Sequence, residues 1–221
     1  MNSSSDPRQP FIFGLIGLAV LMIGGIAWAV MAQPTKQGSG TQDVNVSFND
    51  ANDPVRGPAD AKVVVREFED LECSACRVAK AGVDYVMQKY GDQVKFIWND
   101  MPLTTLHPHA LEAANAARCA EEQGKFWEYH DVLYQQQPYW ASATNVGDLF
   151  AQYASGLGMN MQAFSSCVAD KTYESKITAD GQEGTAAGID ATPTFFVNNV
   201  RYVGVLSNDE WDAAIQKALG K

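Results

Sequence analysis

The spacing of apolar side chains predicts a strand, a helix and a second strand in the first half of the chain. Val63 to Phe68 is short and rich in β-branched residues, which is typical of a buried strand. Apolar side chains then recur with helical spacing before Gly91, at Ala79, Val83, Val86, Met87 and Tyr90. Val94 to Trp98 is again β-rich. A strand, a helix and a strand in this order form a βαβ unit with parallel strands.

Helical patterns fill the middle of the chain, from about residue 105 to residue 187. This stretch is Ala-rich from Ala110 to Ala120, aromatic from Phe126 to Tyr134 and helical again from Val146 to Leu157. We interpret it as an inserted helical subdomain whose apolar stripes form a core. Because no other motif points to them, the three histidines of the chain are interpreted as structural: His107, His109 and His130.

The C-terminal part carries the signals of a hairpin followed by a helix. Two β-rich runs surround Asn198-Asn199 and predict antiparallel strands. Ser207 and Glu210 can form a capping box, which predicts the start of a last helix. The predicted fold class is therefore α/β, with a central mixed sheet flanked by helices.

An uncharged apolar run of 22 residues, Phe11 to Ala32, stands apart from this pattern. It is long enough to cross a bilayer as a helix, and it exceeds the apolar core of about 7 to 15 residues that cleaved signal peptides have. A retained transmembrane anchor is therefore favoured over a long signal peptide. We expect a cytoplasmic tail (1–10), the anchor (11–32), a polar, flexible linker (33–53) and a folded domain (54–221).

Charge and cysteine count bear on partners and location. Only Asp6 and Arg8 are charged before the end of the apolar run, so the net charge of −10 belongs to the remainder of the chain. An acidic surface argues against nucleic acid or anionic lipid as a partner. The four cysteines are an even number, and disulfides persist only in oxidising compartments. We therefore expect a single-pass cell-membrane protein with an extracytoplasmic domain, on the periplasmic or extracellular side.

Cys73-Ser74-Ala75-Cys76 lies where the first strand ends and the helix begins. Two cysteines three residues apart at a helix start share one face and can form a disulfide. Cys73 is predicted at the helix N-terminus, where free amide N–H groups and the macrodipole favour the thiolate. Redox chemistry is favoured over a metal clip or a structural bridge, because no second CxxC or CxxH supplies further metal ligands nearby.

The order of elements resembles a thioredoxin fold with an inserted helical subdomain, and specifically the DsbA-like family of membrane-associated thiol:disulfide oxidoreductases. Three segments carry the resemblance: Glu67-Phe68 leading to the CxxC, Gln123 to His130, and Gly188 to Phe196 with Thr192-Pro193. The resemblance spans about residues 53 to 219, which is nearly the whole predicted domain.

The resemblance implies the site and the activity. Cys73 would be the nucleophile and Cys76 the resolving cysteine, and Thr192-Pro193 would be a cis peptide bond beside which an extended substrate pairs. An ordinary trans proline at a strand start is the alternative. The implied enzyme introduces disulfides into secreted or envelope proteins, is reoxidised by a membrane quinone-linked thiol oxidase and needs no dissociable cofactor. A reductase or isomerase of the same fold, or a CxxC module that handles metal, remains open.

Ser74 and Ala75 depart from the family, in which proline and then histidine or another aromatic or polar residue are common at these two positions. Four acidic residues precede the pair: Glu67, Glu69, Asp70 and Glu72. Nearby carboxylates raise a thiol pKa and oppose the helix N-terminus. We therefore expect Cys73 to be less acidic, and the domain less oxidising, than in the strongest members of the family.

Cys119 and Cys167 remain once the CxxC closes on itself, so they are the consistent partners for a structural disulfide. Such a bridge would join two helices of the insertion and contribute about 4 kcal/mol through loop-closure entropy. Two unpaired buried thiols are the alternative.

Overall fold

The computed structural model describes residues 42–43 and 46–221, and a mixed β-sheet lies at its centre. Six strands of the described part form the sheet in the order β1-β6-β5-β3-β4-β2. The strands are β1 (Gln42–Asp43), β2 (Val55–Arg56), β3 (Val63–Glu69), β4 (Val94–Asp100), β5 (Thr194–Val197) and β6 (Val200–Val203). The helices of the described part are α1 (Ser74–Tyr90), α2 (Ala110–Glu121), α3 (Phe126–Trp140), α4 (Val146–Gly156), α5 (Met161–Ala169), α6 (Glu174–Ala186) and α7 (Asn208–Ala218).

The predicted βαβ unit and hairpin are both present. Strands β3 and β4 are parallel, with Val63 opposite Val94, and α1 connects them. Strands β5 and β6 are antiparallel on either side of the two-residue turn, and β5 also pairs with β3. The capping box of Ser207 and Glu210 opens α7 as expected. These predictions are confirmed because each depends on local pattern.

Helices α1 and α7 cover the sheet, and their packing positions the start of α1. Trp211 of α7 is buried against Phe96 and Phe195, with ring centroids 6.3 and 4.9 Å away. Gly82 permits the close approach of α1, since a Cβ at this position would lie 2.5 Å from the indole nitrogen of Trp211. The helix that begins after Cys73 is thus held by a large aromatic contact.

Helices α2 to α6 form the predicted insertion around a second core. This core includes the buried side chains Trp98, Tyr129, Leu133, Trp140 and Phe150. Cys119 of α2 and Cys167 of α5 form a disulfide within it, with Cα atoms 5.8 Å apart. The alternative of two unpaired thiols does not occur, so the bridge joins two helices of the insertion as expected.

The linker prediction is wrong over residues 46–53, which pack against the domain. The ring of Phe48 lies 5.2 Å from that of Phe68, centroid to centroid. Asp53 is buried and accepts a hydrogen bond of 2.9 Å from Arg118. The polar composition of the segment concealed these contacts, because each partner is distant in sequence.

Arg118 is the centre of a buried ionic network that connects this segment to the insertion. Its guanidinium donates to Asp53, Asp100 and Asp180 at 2.9, 2.6 and 2.9 Å. Lys176 also binds Asp53 and Asp180. Burial, together with the charges of the other two aspartates, raises the pKa of Asp180 to about 7. The network links the start of the domain to β4, α2 and α6.

The predicted anchor, residues 11–32, and the predicted tail before it lie outside the described residues. Within 42–43 and 46–221, no helix has both the length and the apolar character needed to cross a membrane. The anchor therefore stays a prediction.

Candidate active site

Cys73 and Cys76 are free thiols at the start of α1, and they differ in accessibility. Cys73 is the N-cap residue, and its N–H donates to the carbonyl oxygen of Asp70 at 3.0 Å. The residue Cys73 retains 8% exposure, whereas Cys76 in the first turn has none. A substrate sulfur approaching from solvent therefore meets Cys73 first.

The two thiols also differ in acidity. A hydrogen bond from Cys76 is the largest cause that lowers the pKa of Cys73 to about 5, against the opposing effect of burial. A hydrogen bond with Thr192 and the backbone N–H groups of Cys76 and Ala75 lower it further. Burial raises the pKa of Cys76 well above its usual value, and its hydrogen bond to Cys73 and the charge of Glu69 add to this rise. The pair is thus a thiolate next to a protonated thiol.

The expectation that Cys73 is less acidic than in the strongest members of the family stays a prediction, but nearby carboxylates are not among the main causes that shift its pKa. Burial raises the pKa of Glu67 to about 7 and that of Glu69 well above its usual range. One oxygen of each of these carboxyl groups has no hydrogen-bond partner among the described residues. Burial thus disfavours the charged form of both groups, and local hydrogen bonds are the main causes of the acidity of Cys73. The expected weaker oxidising power is a separate property and stays a prediction.

The peptide bond between Thr192 and Pro193 is cis and lies beside Cys73. The Sγ atom of Cys73 lies 3.6 Å from the carbonyl oxygen of Thr192, to which it can donate a hydrogen bond only when it is protonated. Strand β5 begins at the next residue and pairs with β3, which leads towards the CxxC. Sheet pairing therefore brings together two segments that are 119 residues apart in the sequence. The alternative of a trans proline does not occur.

The family profile described as thioredoxin matches residues 49–217. The chain belongs to the thioredoxin family. Among solved structures of similar fold, BdbD from Bacillus subtilis is 25% identical, with a TM-score of 0.71 over 81% of this chain and 100% of that protein. The alpha-DsbA1 protein from Wolbachia pipientis is 23% identical, with a TM-score of 0.69 over 79% of this chain and 94% of that one. The predicted DsbA-like fold is thus confirmed.

The curated relatives of this thioredoxin-family chain are named as Na(+)/H(+) antiporters. Na(+)/H(+) antiporter NhaA 3 from Salinispora tropica is 36% identical over 179 residues, which are 81% of this chain and 26% of the relative. NhaA 1 from Mycolicibacterium vanbaalenii is 36% identical over 166 residues, 73% of this chain and 25% of the relative. The chain therefore spans about a quarter of the length of these relatives.

Gln137 of α3 contacts the CxxC turn of this thioredoxin-family domain, a role that the sequence pattern did not indicate. Its amide nitrogen donates to the carbonyl oxygens of Leu71 and Cys73 at 2.8 and 3.0 Å, and its amide oxygen accepts from Arg77 at 3.1 Å. The inserted helix thereby supports the site directly. The only sequence signal was its helical spacing from Leu133 and Tyr134, which are also buried.

Tyr134 and His107 are two further residues whose place at the site was missed. Tyr134 donates to Glu69 at 2.6 Å, so it does more than pack in the core. His107 contacts Asp70 through its Nδ1 atom at 2.8 Å. A signal for His107 existed, because it follows the second of two parallel strands, whose carboxyl ends meet at the same edge. In the described part, no group of three or more His, Cys, Asp or Glu side chains could hold a metal ion.

Proposed function

We propose that the protein is a thiol:disulfide oxidoreductase that introduces disulfides into secreted or envelope proteins. The observation that carries this proposal is the contrast between an acidic, reachable Cys73 and a buried, protonated Cys76 beside the cis bond of Thr192-Pro193. Such a pair has one sulfur that exchanges with substrates and one that closes the internal disulfide.

In the oxidising direction, the reaction begins with the Cys73–Cys76 disulfide. A substrate thiolate attacks Cys73, the Cys73–Cys76 bond breaks, and its electron pair stays on Cys76, which becomes protonated. A second substrate thiolate then attacks the substrate sulfur of the mixed disulfide, and Cys73 leaves as a thiolate. A pKa of about 5 makes Cys73 a good leaving group, because less basic thiolates leave faster.

The backbone around Thr192 is the proposed substrate-binding edge. The carbonyl oxygen of Thr192 faces Cys73 in the free protein, and Pro193 carries no N–H that would compete for an incoming strand. An extended substrate segment can hydrogen-bond to this backbone while its cysteine is joined to Cys73.

We also propose where the domain works in the cell and how its disulfide is regenerated. We expect the apolar segment 11–32 to hold the domain on the extracytoplasmic face of the membrane, and a quinone-linked thiol oxidase of the membrane to regenerate the disulfide. The matches to proteins named as antiporters support a membrane setting for domains of this kind. No dissociable cofactor takes part in the proposed exchange.

A trapping experiment tests the proposal. Cys76→Ala expressed in the native host removes the resolving sulfur, so mixed disulfides through Cys73 should accumulate and be released by reductant. Cys73→Ala with Cys76→Ala is the matched control and should trap nothing. We expect the trapped proteins to be extracytoplasmic proteins with cysteine pairs. If these cysteines stay reduced in cells that lack the enzyme, the enzyme is an oxidase. If they form disulfides that persist or are wrongly paired, it is a reductase or an isomerase. A trap that stays empty would contradict thiol exchange.

A further inference from the structure

Asp70 connects the turn that carries Cys73 to the ring of His107. Its carbonyl oxygen accepts the N–H of Cys73 at 3.0 Å, and its buried carboxylate accepts the N–H of Glu72 at 2.7 Å. The same carboxylate accepts the N–H of Leu103 at 2.8 Å and contacts Nδ1 of His107 at 2.8 Å. One fully buried carboxylate therefore fixes both the active-site turn and the loop after β4.

This contact determines which ring nitrogen of His107 faces outward. A carboxylate can only accept, so Nδ1 carries a hydrogen and the neutral ring has its lone pair on Nε2. Nε2 has no hydrogen-bond partner in the part of the chain that the structure describes. The side chain of His107 is 24% exposed, whereas that of Asp70 has no exposure. Nε2 is thus available to a group that arrives from solvent.

The groups around His107 favour the protonated form of its ring. In the reduced protein, burial lowers its pKa, but the hydrogen bond and charge of Asp70, the Cys73 thiolate and Glu72 outweigh burial, so the pKa is raised above the usual value. The contact with Asp70 does not depend on the Cys73 thiolate. The His107 ring and the backbone N–H of Cys73 both contact Asp70, so the ring and the turn that carries the reactive sulfur share this residue.

Other candidates for proton transfer to a substrate lie elsewhere. Glu67 and Glu69 are each only 2% exposed, so a substrate does not reach them. His130 is buried among aromatic rings and paired with Asp131. His109 contributes its backbone N–H to Glu72 rather than its ring. Of the three histidines, only His107 has a carboxylate-held, partly exposed ring at the site.

A substrate thiol needs a proton acceptor. A free cysteine has a pKa of about 8.5, so only a few per cent of it is thiolate at neutral pH. We propose that His107, held by Asp70, is a further catalytic residue that takes the proton of the incoming substrate thiol on Nε2. This inference rests on the proposed function.

The proposed step breaks the S–H bond of the substrate as the substrate sulfur bonds to Cys73, and the Cys73–Cys76 bond breaks with its electron pair left on Cys76. The substrate sulfur is oxidised and Cys76 is reduced, and in reverse the ring returns the proton to the leaving sulfur.

The test uses two monothiol probes with the purified, oxidised full-length protein. One probe is a cysteine peptide, which is mostly protonated at neutral pH, and the other is an aromatic thiol that is already ionised. His107→Gln should slow the reaction with the peptide about tenfold or more and leave the aromatic thiol within about twofold. His109→Gln is the matched control and should change neither rate. In the wild type, the peptide rate should also show a pH step at the pKa of His107 that is absent from His107→Gln.

The outcomes separate the inference from the proposed function. Equal slowing of both probes by His107→Gln would show that the residue only supports the fold of the site, and would overturn proton transfer. A peptide rate that does not change would overturn it as well. A wild-type protein that reacts with neither probe would overturn the proposed function and the inference together.

Discussion

The Sγ atom of Cys73 lies 3.6 Å from the carbonyl oxygen of Thr192, the residue that precedes the cis proline. The reactive sulfur and the proposed substrate-binding backbone are therefore in direct contact before any substrate arrives. A substrate that replaces this contact would gain a covalent bond to the sulfur and hydrogen bonds to the backbone at the same place.

The acidity of Cys73 should depend on Cys76. The hydrogen bond from Cys76 is the largest cause of the lowered pKa, so Cys76→Ala should raise the pKa of Cys73 above about 5. Cys76→Ser is the matched control, because its hydroxyl keeps a donor at the same position and should retain most of the lowering. The pH dependence of alkylation by iodoacetamide measures both values. An unchanged midpoint in Cys76→Ala would contradict this role of Cys76.

The stability of the reduced protein should rise with pH because of Cys73. Its pKa is about 5 in the folded protein and about 8.5 in an unfolded chain, so the unfolded state binds more protons between these values. The contribution is absent below about pH 5, grows from there and is complete near about pH 8.5. Denaturant unfolding of reduced wild type and reduced Cys73→Ala should diverge over this range. Parallel curves would contradict a thiolate in the folded state.

Gln137 should stabilise the CxxC turn. Gln137→Met keeps the approximate volume of the side chain but leaves the carbonyl oxygens of Leu71 and Cys73 without this donor. Buried acceptors that lose their partner cost about 1–3 kcal/mol, so the free energy of unfolding should fall by that amount. Gln135→Met, at an exposed position on the same helix, should change it by less than about 0.5 kcal/mol. Equal losses of unfolding free energy in the two variants would show that a change in helix propensity, and not the lost hydrogen bonds, destabilises the protein.

Arg118 should be among the costliest single residues to remove. Arg118→Met leaves Asp53, Asp100 and Asp180 buried without their shared partner. Breaking a buried ionic network in this way costs about 3–5 kcal/mol of unfolding free energy. Lys171→Met, whose side chain is 69% exposed, is the control and should have little effect. A small loss in Arg118→Met would show that water or Lys176 compensates the three carboxylates.

The reduction potential should lie between those of thioredoxin and of the strongest oxidant of the DsbA type. The pKa of Cys73, about 5, lies between the values of about 7 and about 3.5 for those two proteins, whose potentials are about −270 and −120 mV. Equilibration with glutathione measures the potential. Ala75→His places a cation between the cysteines and should lower the pKa of Cys73 further. For each unit by which this pKa falls, the reduction potential should rise by about 30 mV. Ala75→Gln is the uncharged control.

Local pattern determined a large part of this protein. The β-branched run before Cys73, the helical stripe after it and the capping box at Ser207 each act over a few residues, so the sequence predicts the βαβ unit, the hairpin and the cysteines at a helix start. The pairing of Cys119 with Cys167 could also be predicted, because the CxxC left them as the consistent partners.

Tertiary structure alone decided how the site is charged and supported. Glu67 and Glu69 look like negative charges in the sequence, but burial raises their pKa values, and a hydrogen bond from Cys76 acidifies Cys73 instead. The contacts of Gln137 and His107 with the CxxC turn join distant parts of the chain. Local propensity carries no information about which distant groups meet or how far water is excluded from them, and these two factors set the chemistry of the sulfur.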